Sequence, residues 1–239
     1  MRIALLISGG GTTAGAIITA CKNGQLPNIA PVLVIASKAG IGGIERVKAA
    51  GMLEKNIVVI EPKKFPTPHD FGEAILKECE QRGVEFIGQY GWLALTPSNV
   101  IARYEGMMTN QHPGPLDIGR PDFGGSGMYG KRVHAARICF VKKTNRDFWS
   151  EATAQRVAVR FDEGAVLKTR RVPIVPGDTP ETLAARLLPL EHEVHIATLQ
   201  DFADNTVKEI KRDTPLVLPG EEDTLEECKR QAIAAYPNG

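Results

Sequence analysis

No apolar run in this chain approaches the ~20 residues that a membrane-spanning helix needs. The charge balance is also nearly neutral, a formal +1 at pH 7. That excludes the broad basic surface by which proteins hold nucleic acid indiscriminately. Cysteine is sparse: Cys21, Cys79, Cys139 and Cys228 are scattered, with no CxxC pair. The spacing argues against a zinc cluster and leads us to expect reduced thiols in a cytoplasmic protein, with no metal. The opening "RIALLISGGG" has the length and punctuation of a strand and loop rather than a signal peptide. Repeats and low-complexity tracts are absent. What remains is an ordinary globular composition, 43% hydrophobic and 24% charged over 239 residues, enough for one large α/β domain or two small ones.

The first half alternates. "IALLI" (3–7), "PVLVIAS" (31–37) and "NIVVIEP" (56–62) are short apolar strands, and uninterrupted runs of this kind suit a parallel sheet covered on both faces. Between the first two, Ala14, Ile17, Ile18 and Cys21 recur at helical spacing, with Gly24 placed as a stop. "GIERVKAAG" and the stretch from Asp70 to Gln81 read as two further helices. "VEFIGQYG" (84–91) is a fourth strand, followed by a helix with Thr96 as N-cap and Pro97 at its first position. "MMTNQH" (107–112) is the fifth strand. This is a doubly wound, mostly parallel α/β sheet, whose ligands bind at the carboxyl ends of strands.

The second half changes character. Residues 117–150 are rich in Gly, Arg and aromatics. "ATAQRVAVRF" and "AVLKTRRVPIV" then read as a β-hairpin turning at Asp162-Glu163-Gly164. A helix from Thr179 follows, in which Pro189 should force a kink or a break. A last polar helix covers "EEDTLEECKRQAIAAY". We expect a single domain over 1–239, with an N-terminal nucleotide-binding half to about 116 and a folate-side half from about 117.

Two features carry chemistry. "SGGGTTAGAI" (8–17) joins a strand to a helix through glycines, and successive N–H groups at a helix start make an anion site suited to phosphate. It lacks both the Walker ending and a GxGxxG. Taken alone, it is equally a tight strand-to-helix turn. The second feature is "MMTNQHPGPLD", in which Asn110 and His112 stand two residues apart at a strand end and so on one side of an extended chain. An amide can donate to a developing oxyanion, an imidazole can exchange a proton near neutral pH, and an Asp such as Asp162 can tune that imidazole. None of the three is an obvious nucleophile, so the set fits acyl transfer to an amine that attacks directly. The plain alternative is a capped strand end and a turn residue.

The chain resembles the glycinamide ribonucleotide formyltransferases, within the folate-dependent formyltransferase family. "RIALLISGGGTTAGAIITACKNG" is similar to that family's first strand, phosphate loop and helix, "TNQHPGPLD" to its Asn-x-His-Pro motif, and "FDEGAVLKTRRVPIVPGDTPETLAARLLPLEHEV" to its Asp-Gly segment and following helix. The similarity runs from 1 to about 205. It implies that Asn110, His112 and Asp162 are catalytic and that Gly10, Gly11, Thr12 and Thr13 hold the substrate phosphate. It also implies that Glu191 lies near the substrate amine and ribose. Tyr90, Gly91, Trp92, Leu93, Ala94 and Leu95, with Val159, Arg160 and Phe161, would cradle 10-formyltetrahydrofolate. The implied reaction formylates glycinamide ribonucleotide in purine biosynthesis, with no nucleic-acid or membrane partner, as a monomer or homodimer.

The chain also departs from the family pattern. Pro-Gly-Pro-Leu-Asp follows His112 where Pro-Ser-Leu-Leu-Pro is usual, and Gln155 stands where many relatives carry histidine. Fifty positions separate His112 from Asp162, more than usual, so 118–150 is an insertion or a rebuilt lid. Its Arg120, Lys131, Arg132, Arg137 and His134 are candidates for the folate tail's carboxylates, with a solvated insertion as the alternative. Trp92 and Trp149 are either folate stackers or core. Other open readings are a formyltransferase for an amino-sugar nucleotide, a formyltetrahydrofolate hydrolase, and a binding module without catalysis. A tRNA formyltransferase is disfavoured, since only about thirty residues follow the similarity, without a basic run.

Overall fold

The computed structural model describes residues 1–117, 119–120 and 122–239. Five strands alternate with helices through the first half: β1 (Arg2–Ile7), α1 (Thr12–Lys22), β2 (Ala30–Ala36), α2 (Gly42–Ala50), β3 (Ile57–Val59), α3 (Pro68–Gln81), β4 (Phe86–Gln89), α4 (Ser98–Arg103) and β5 (Met108–His112). Then come α5 (Lys131–Thr144), β6 (Trp149–Arg156), β7 (Val166–Pro173), α6 (Pro180–Ala203) and α7 (Glu222–Ala235). The strand order is β3-β2-β1-β4-β5-β6-β7. All pairings from β3 to β5 are parallel, whereas β6 and β7 pair antiparallel.

The chain forms two compact units, one of Met1–Gln111 with His195–Val207 and the other of His112–Val194 with Lys208–Gly239. In the first, β1 is central and Ile3, Ala4, Leu5, Leu6 and Ile7 are fully buried, as an apolar strand covered on both faces must be. Phe86 on β4 packs against Phe202 near the end of α6, with ring centres 4.7 Å apart. In the second unit, α5 and α7 enclose a core of Phe123, Met128, Val133, Phe140, Leu216, Val217 and Leu225.

Several local expectations need correction. Thr96 does not cap α4. Pro97 occupies that position without a side-chain cap, and the Thr96 hydroxyl instead accepts from Gln89 Nε2 at 2.6 Å, a buried pairing that outweighs an exposed cap. Strand β6 stops at Arg156, so residues 157–165 form a loop rather than a tight hairpin. The Arg156 N–H still donates to the Ala165 carbonyl, and a Cβ on Gly164 would lie 1.9 Å from the Arg156 oxygen. The loop therefore folds hard back onto the strand end, which only glycine permits. Helix α6 runs unbroken for 24 residues with Pro189 inside it. The ring removes one hydrogen bond, which a long helix absorbs without ending. The thiols are not all reduced: Cys139 on α5 and Cys228 on α7 form a disulfide, with Cα atoms 5.6 Å apart. The pairing is 89 residues long-range and so invisible to any local spacing rule. Cys21 and Cys79 are free. Among the described residues, no helix is long and apolar enough to cross a membrane.

Candidate active site

In the first unit, β1 ends at Ile7 and the chain turns through Ser8–Gly11 into α1. Gly11 is the N-cap with φ 61°, and a Cβ there would lie 2.8 Å from the Gly43 Cα. The loop is thus packed against the start of α2, where the Gly43 N–H donates to the Gly9 carbonyl at 2.9 Å. Arg46 Nε donates to the Gly10 carbonyl at 2.7 Å. Gly9 and Gly10 are exposed, Thr12 is half-buried, and Thr13 is buried. The first turn of α1 carries no acidic residue. Its unpaired N–H groups and positive dipole end are therefore uncompensated, the condition under which a helix start attracts an anion.

Ser8, missed from the sequence, ties this loop to the candidate folate stretch in the same unit. Its hydroxyl accepts from the Leu93 N–H at 2.9 Å and from Ser37 Oγ at 2.7 Å, and its own N–H donates to the Gly91 carbonyl at 3.1 Å. Gly91 takes φ 68°, so the segment turns sharply just past β4. Tyr90 and Trp92 point inward, and Trp92 stacks on Phe71 with centres 6.3 Å apart, which places it in the core. Leu93 and Leu95 instead stand 54% and 56% exposed. Asn110 is half-buried on β5, in register with Gln89 of β4.

In the second unit, His112 ends β5 and Asp162 lies in the 157–165 loop. His112 Nδ1 and Asp162 Oδ2 are 3.6 Å apart, an ion-pair rather than a hydrogen-bond distance, and both side chains are nearly buried. Each oxygen of Asp162 is held by another donor: Gln155 Nε2 reaches Oδ1 at 2.5 Å, and the Gly125 N–H reaches Oδ2 at 2.9 Å. A Cβ on Gly124 would meet the Asp162 side chain at 2.7 Å. Asp162 itself sits at φ 58°, a left-handed position that Asp tolerates better than most residues. Burial lowers the His112 pKa below its ordinary value, and the opposing pull of Asp162 is smaller. The imidazole therefore rests neutral rather than protonated. Its Nε2 is buried with no hydrogen-bond partner among the described residues.

The 118–150 segment is neither a solvated insertion nor, at Arg132 and Arg137, a set of free cations. Phe123 is fully buried, and the Gly124-Gly125 pair braces Asp162. Arg132 donates to the carbonyls of Gly127, Tyr236 and Pro237, and Arg137 to those of Asp147 and Trp149. Committed to backbone oxygens, these two guanidinia serve packing rather than the carboxylates of a folate tail. Lys131 pairs with Glu181 at 3.0 Å. His134 is buried, not superficial, and desolvation with the nearby His112 lowers its pKa to about 4. Glu191 is buried on α6 and its neighbour His192 is half-buried. Val159 and Phe161 are 68% and 43% exposed, with Arg160 exposed between them.

A family model described as Formyl transferase matches residues 1–199. The chain belongs to that family. It is 31% identical to the chloroplastic phosphoribosylglycinamide formyltransferase of Vigna unguiculata, over 90% of this chain and 65% of that one. It is 25% identical to the phosphoribosylglycinamide formyltransferase of Escherichia coli, over 87% of this chain and 90% of that one. It superimposes on the crystal structure of phosphoribosylglycinamide formyltransferase from Brucella melitensis with a TM-score of 0.71 and 31% identity, covering 87% of this chain and 98% of that one.

Proposed function

We propose that the protein transfers the formyl group of 10-formyltetrahydrofolate to the amine of glycinamide ribonucleotide, giving formylglycinamide ribonucleotide and tetrahydrofolate. The whole chain acts as one formyltransferase domain in the cytoplasm. The observation that carries this reading is the buried His112–Asp162 pair, fixed at both carboxylate oxygens and offering an unpartnered imidazole nitrogen, in a chain of the formyl transferase family.

The folate supplies a formyl group on a nitrogen that can leave. Asn110 donates its side-chain N–H to the formyl oxygen as negative charge gathers there. His112, neutral at rest, takes the attacking amine's proton at Nε2, and Asp162 stabilises the imidazolium so formed. The same proton then serves the leaving nitrogen. Gly10, Gly11, Thr12 and Thr13 hold the phosphate through backbone N–H groups. Glu191 orients the amine and ribose. The exposed Leu93 and Leu95 of one unit and Val159 and Phe161 of the other offer apolar surface fitting an extended folate, with Tyr90, Gly91, Trp92, Ala94 and Arg160 shaping the two stretches.

One assay tests the reading. Purified protein with 10-formyltetrahydrofolate should release tetrahydrofolate only when glycinamide ribonucleotide is supplied. Release with water alone would identify a hydrolase. Turnover with a nucleotide amino sugar and none with glycinamide ribonucleotide would move the substrate class, and no turnover with any amine would leave a binding module.

A further inference from the structure

A cavity of about 580 Å³ lies in the second unit, away from His112 and Asp162 in the chain. It is bounded by Asp147 and Trp149 at the start of β6, Thr169–Arg171 of β7, and the return segment Ile210–Leu216. Its volume falls in the range of small-metabolite sites. The walls are fixed. The Ile210 N–H donates to the Val166 carbonyl of β7 at 2.7 Å, Arg212 Nε to the Leu116 carbonyl at 2.8 Å, and Arg146 Nη2 to the Leu216 carbonyl at 2.9 Å.

The charges around it do not balance. Arg171 and Arg212 both converge on Glu151, which is fully buried beneath them. Asp147 is matched by Arg146. Arg170 and Lys211 have no carboxylate partner among the described residues. Four cations thus face Glu151 and Asp213 alone, leaving the wall two positive charges in excess. The aromatic ring present is already engaged: Arg171 lies 3.8 Å and Arg137 4.7 Å from the centre of Trp149. Recognition there rests on charge and guanidinium hydrogen bonds rather than stacking.

We infer that this cavity, walled by Arg170, Arg171, Lys211 and Arg212, is a second anion-binding site, for a small multivalent anion carrying phosphate or carboxylate groups. Two of its guanidinia are pre-oriented by the buried Glu151, so an incoming anion meets a rigid pair and two free cations. Pre-orientation reduces the ordering cost that makes exposed ion pairs weak.

The test must separate this site from the glycine loop of the first unit, which also favours anions. Isothermal titration at low ionic strength uses two probes, inorganic pyrophosphate and citrate. It compares the unaltered protein with Gly10→Val, which crowds the loop, and with the double variant Arg170→Glu, Lys211→Glu. Gly10→Val should keep binding at least one probe. The double variant in the Gly10→Val background should bind it at least tenfold more weakly. A milder Lys211→Ala variant, altering one exposed side chain, should show an intermediate loss and an unchanged melting temperature. On the Gly10 background, binding of pyrophosphate alone assigns phosphate, and binding of citrate alone assigns carboxylate. Turnover of the Arg170→Glu, Lys211→Glu protein with the loop intact should stay at the unaltered level. Failure of Gly10→Val to bind either probe, or undiminished affinity after charge reversal, overturns the inference whatever the amine substrate proves to be.

Discussion

At Asp162, every nearby group supports one posture of one carboxylate. Gln155 and the Gly125 N–H hold its two oxygens, Gly124 leaves room for its Cβ, and His112 faces it at 3.6 Å. We expect Asn110→Ala to lower kcat by ~10²–10³, the usual cost of one oxyanion donor. His112→Ala and Asp162→Asn should likewise lower kcat far more than they weaken ribonucleotide binding. Because the residues act together, double variants should lose less than the product of the single losses, and steady-state kinetics reads this directly. The pH dependence follows from the lowered His112 pKa. Activity should fall only as the pH drops below 6.5, where the buried imidazole finally takes a proton and ceases to be a base. Asp162 raises that pKa, so Asp162→Asn should move the acid limb of the residual activity to still lower pH. A limb above 6.5 would show a histidine protonated at rest. The glycine loop needs a more careful choice than its sequence suggests. A side chain at Gly11 would strike the backbone of Gly43, confusing strain with phosphate loss, whereas a Cβ at Gly10 meets nothing closer than Thr12 Cγ2 at 4.0 Å. Gly10→Val should therefore raise KM for the ribonucleotide several-fold with kcat little changed, and Thr12→Ala should do much less.

At the scale of elements, α5 carries the clearest departure from the expectation drawn from sequence. Its cysteine joins α7 across 89 residues, and Arg132 near its start holds the backbone of the C-terminal residues. A bridge closing a loop of that length typically contributes about 2–4 kcal/mol. Cys139→Ser should lower the urea midpoint accordingly, and reductant should lower that of the unaltered protein but not of the variant. Identical midpoints with and without reductant would show that the thiols are not paired in solution. Much of the first unit was legible because its signals are local. Continuous apolar runs marked the strands, helical spacing marked the helices, and glycines marked their ends. The second unit was less so because its determinants lie far apart in the chain. Gly124 and Gly125 become intelligible only once Asp162 is seen beside them, and the "GGSG" run was the one available signal. Thr96 read as a cap because the sequence does not reveal that Gln89 would be buried next to it.

At the scale of the molecule, the family match ends at residue 199, yet the second unit draws on residues well beyond it. Leu216, Val217, Leu225, Cys228 and Ala232 are buried together with Phe123, Met128, Val133 and Phe140, so half of this core comes from the C-terminal stretch. Removing 208–239 would expose the apolar face of α5 and cut the disulfide. It would also free Arg132 and leave the buried Glu151 without Arg212. Burial of each large apolar side chain contributes about 1.5–3 kcal/mol. Three such residues lost together rival a substantial part of a domain's net stability of about 5–15 kcal/mol. An unpaired buried carboxylate adds a further cost of several kcal/mol. A chain ending at residue 207 should therefore lose the second unit's cooperative melting transition and, with it, the setting of His112 and Asp162. Limited proteolysis should cut first between 119 and 150 while the strands of the first unit stay protected. If the shortened chain kept both its melting temperature and its kcat, α7 would be an appendage rather than part of the core that holds the site.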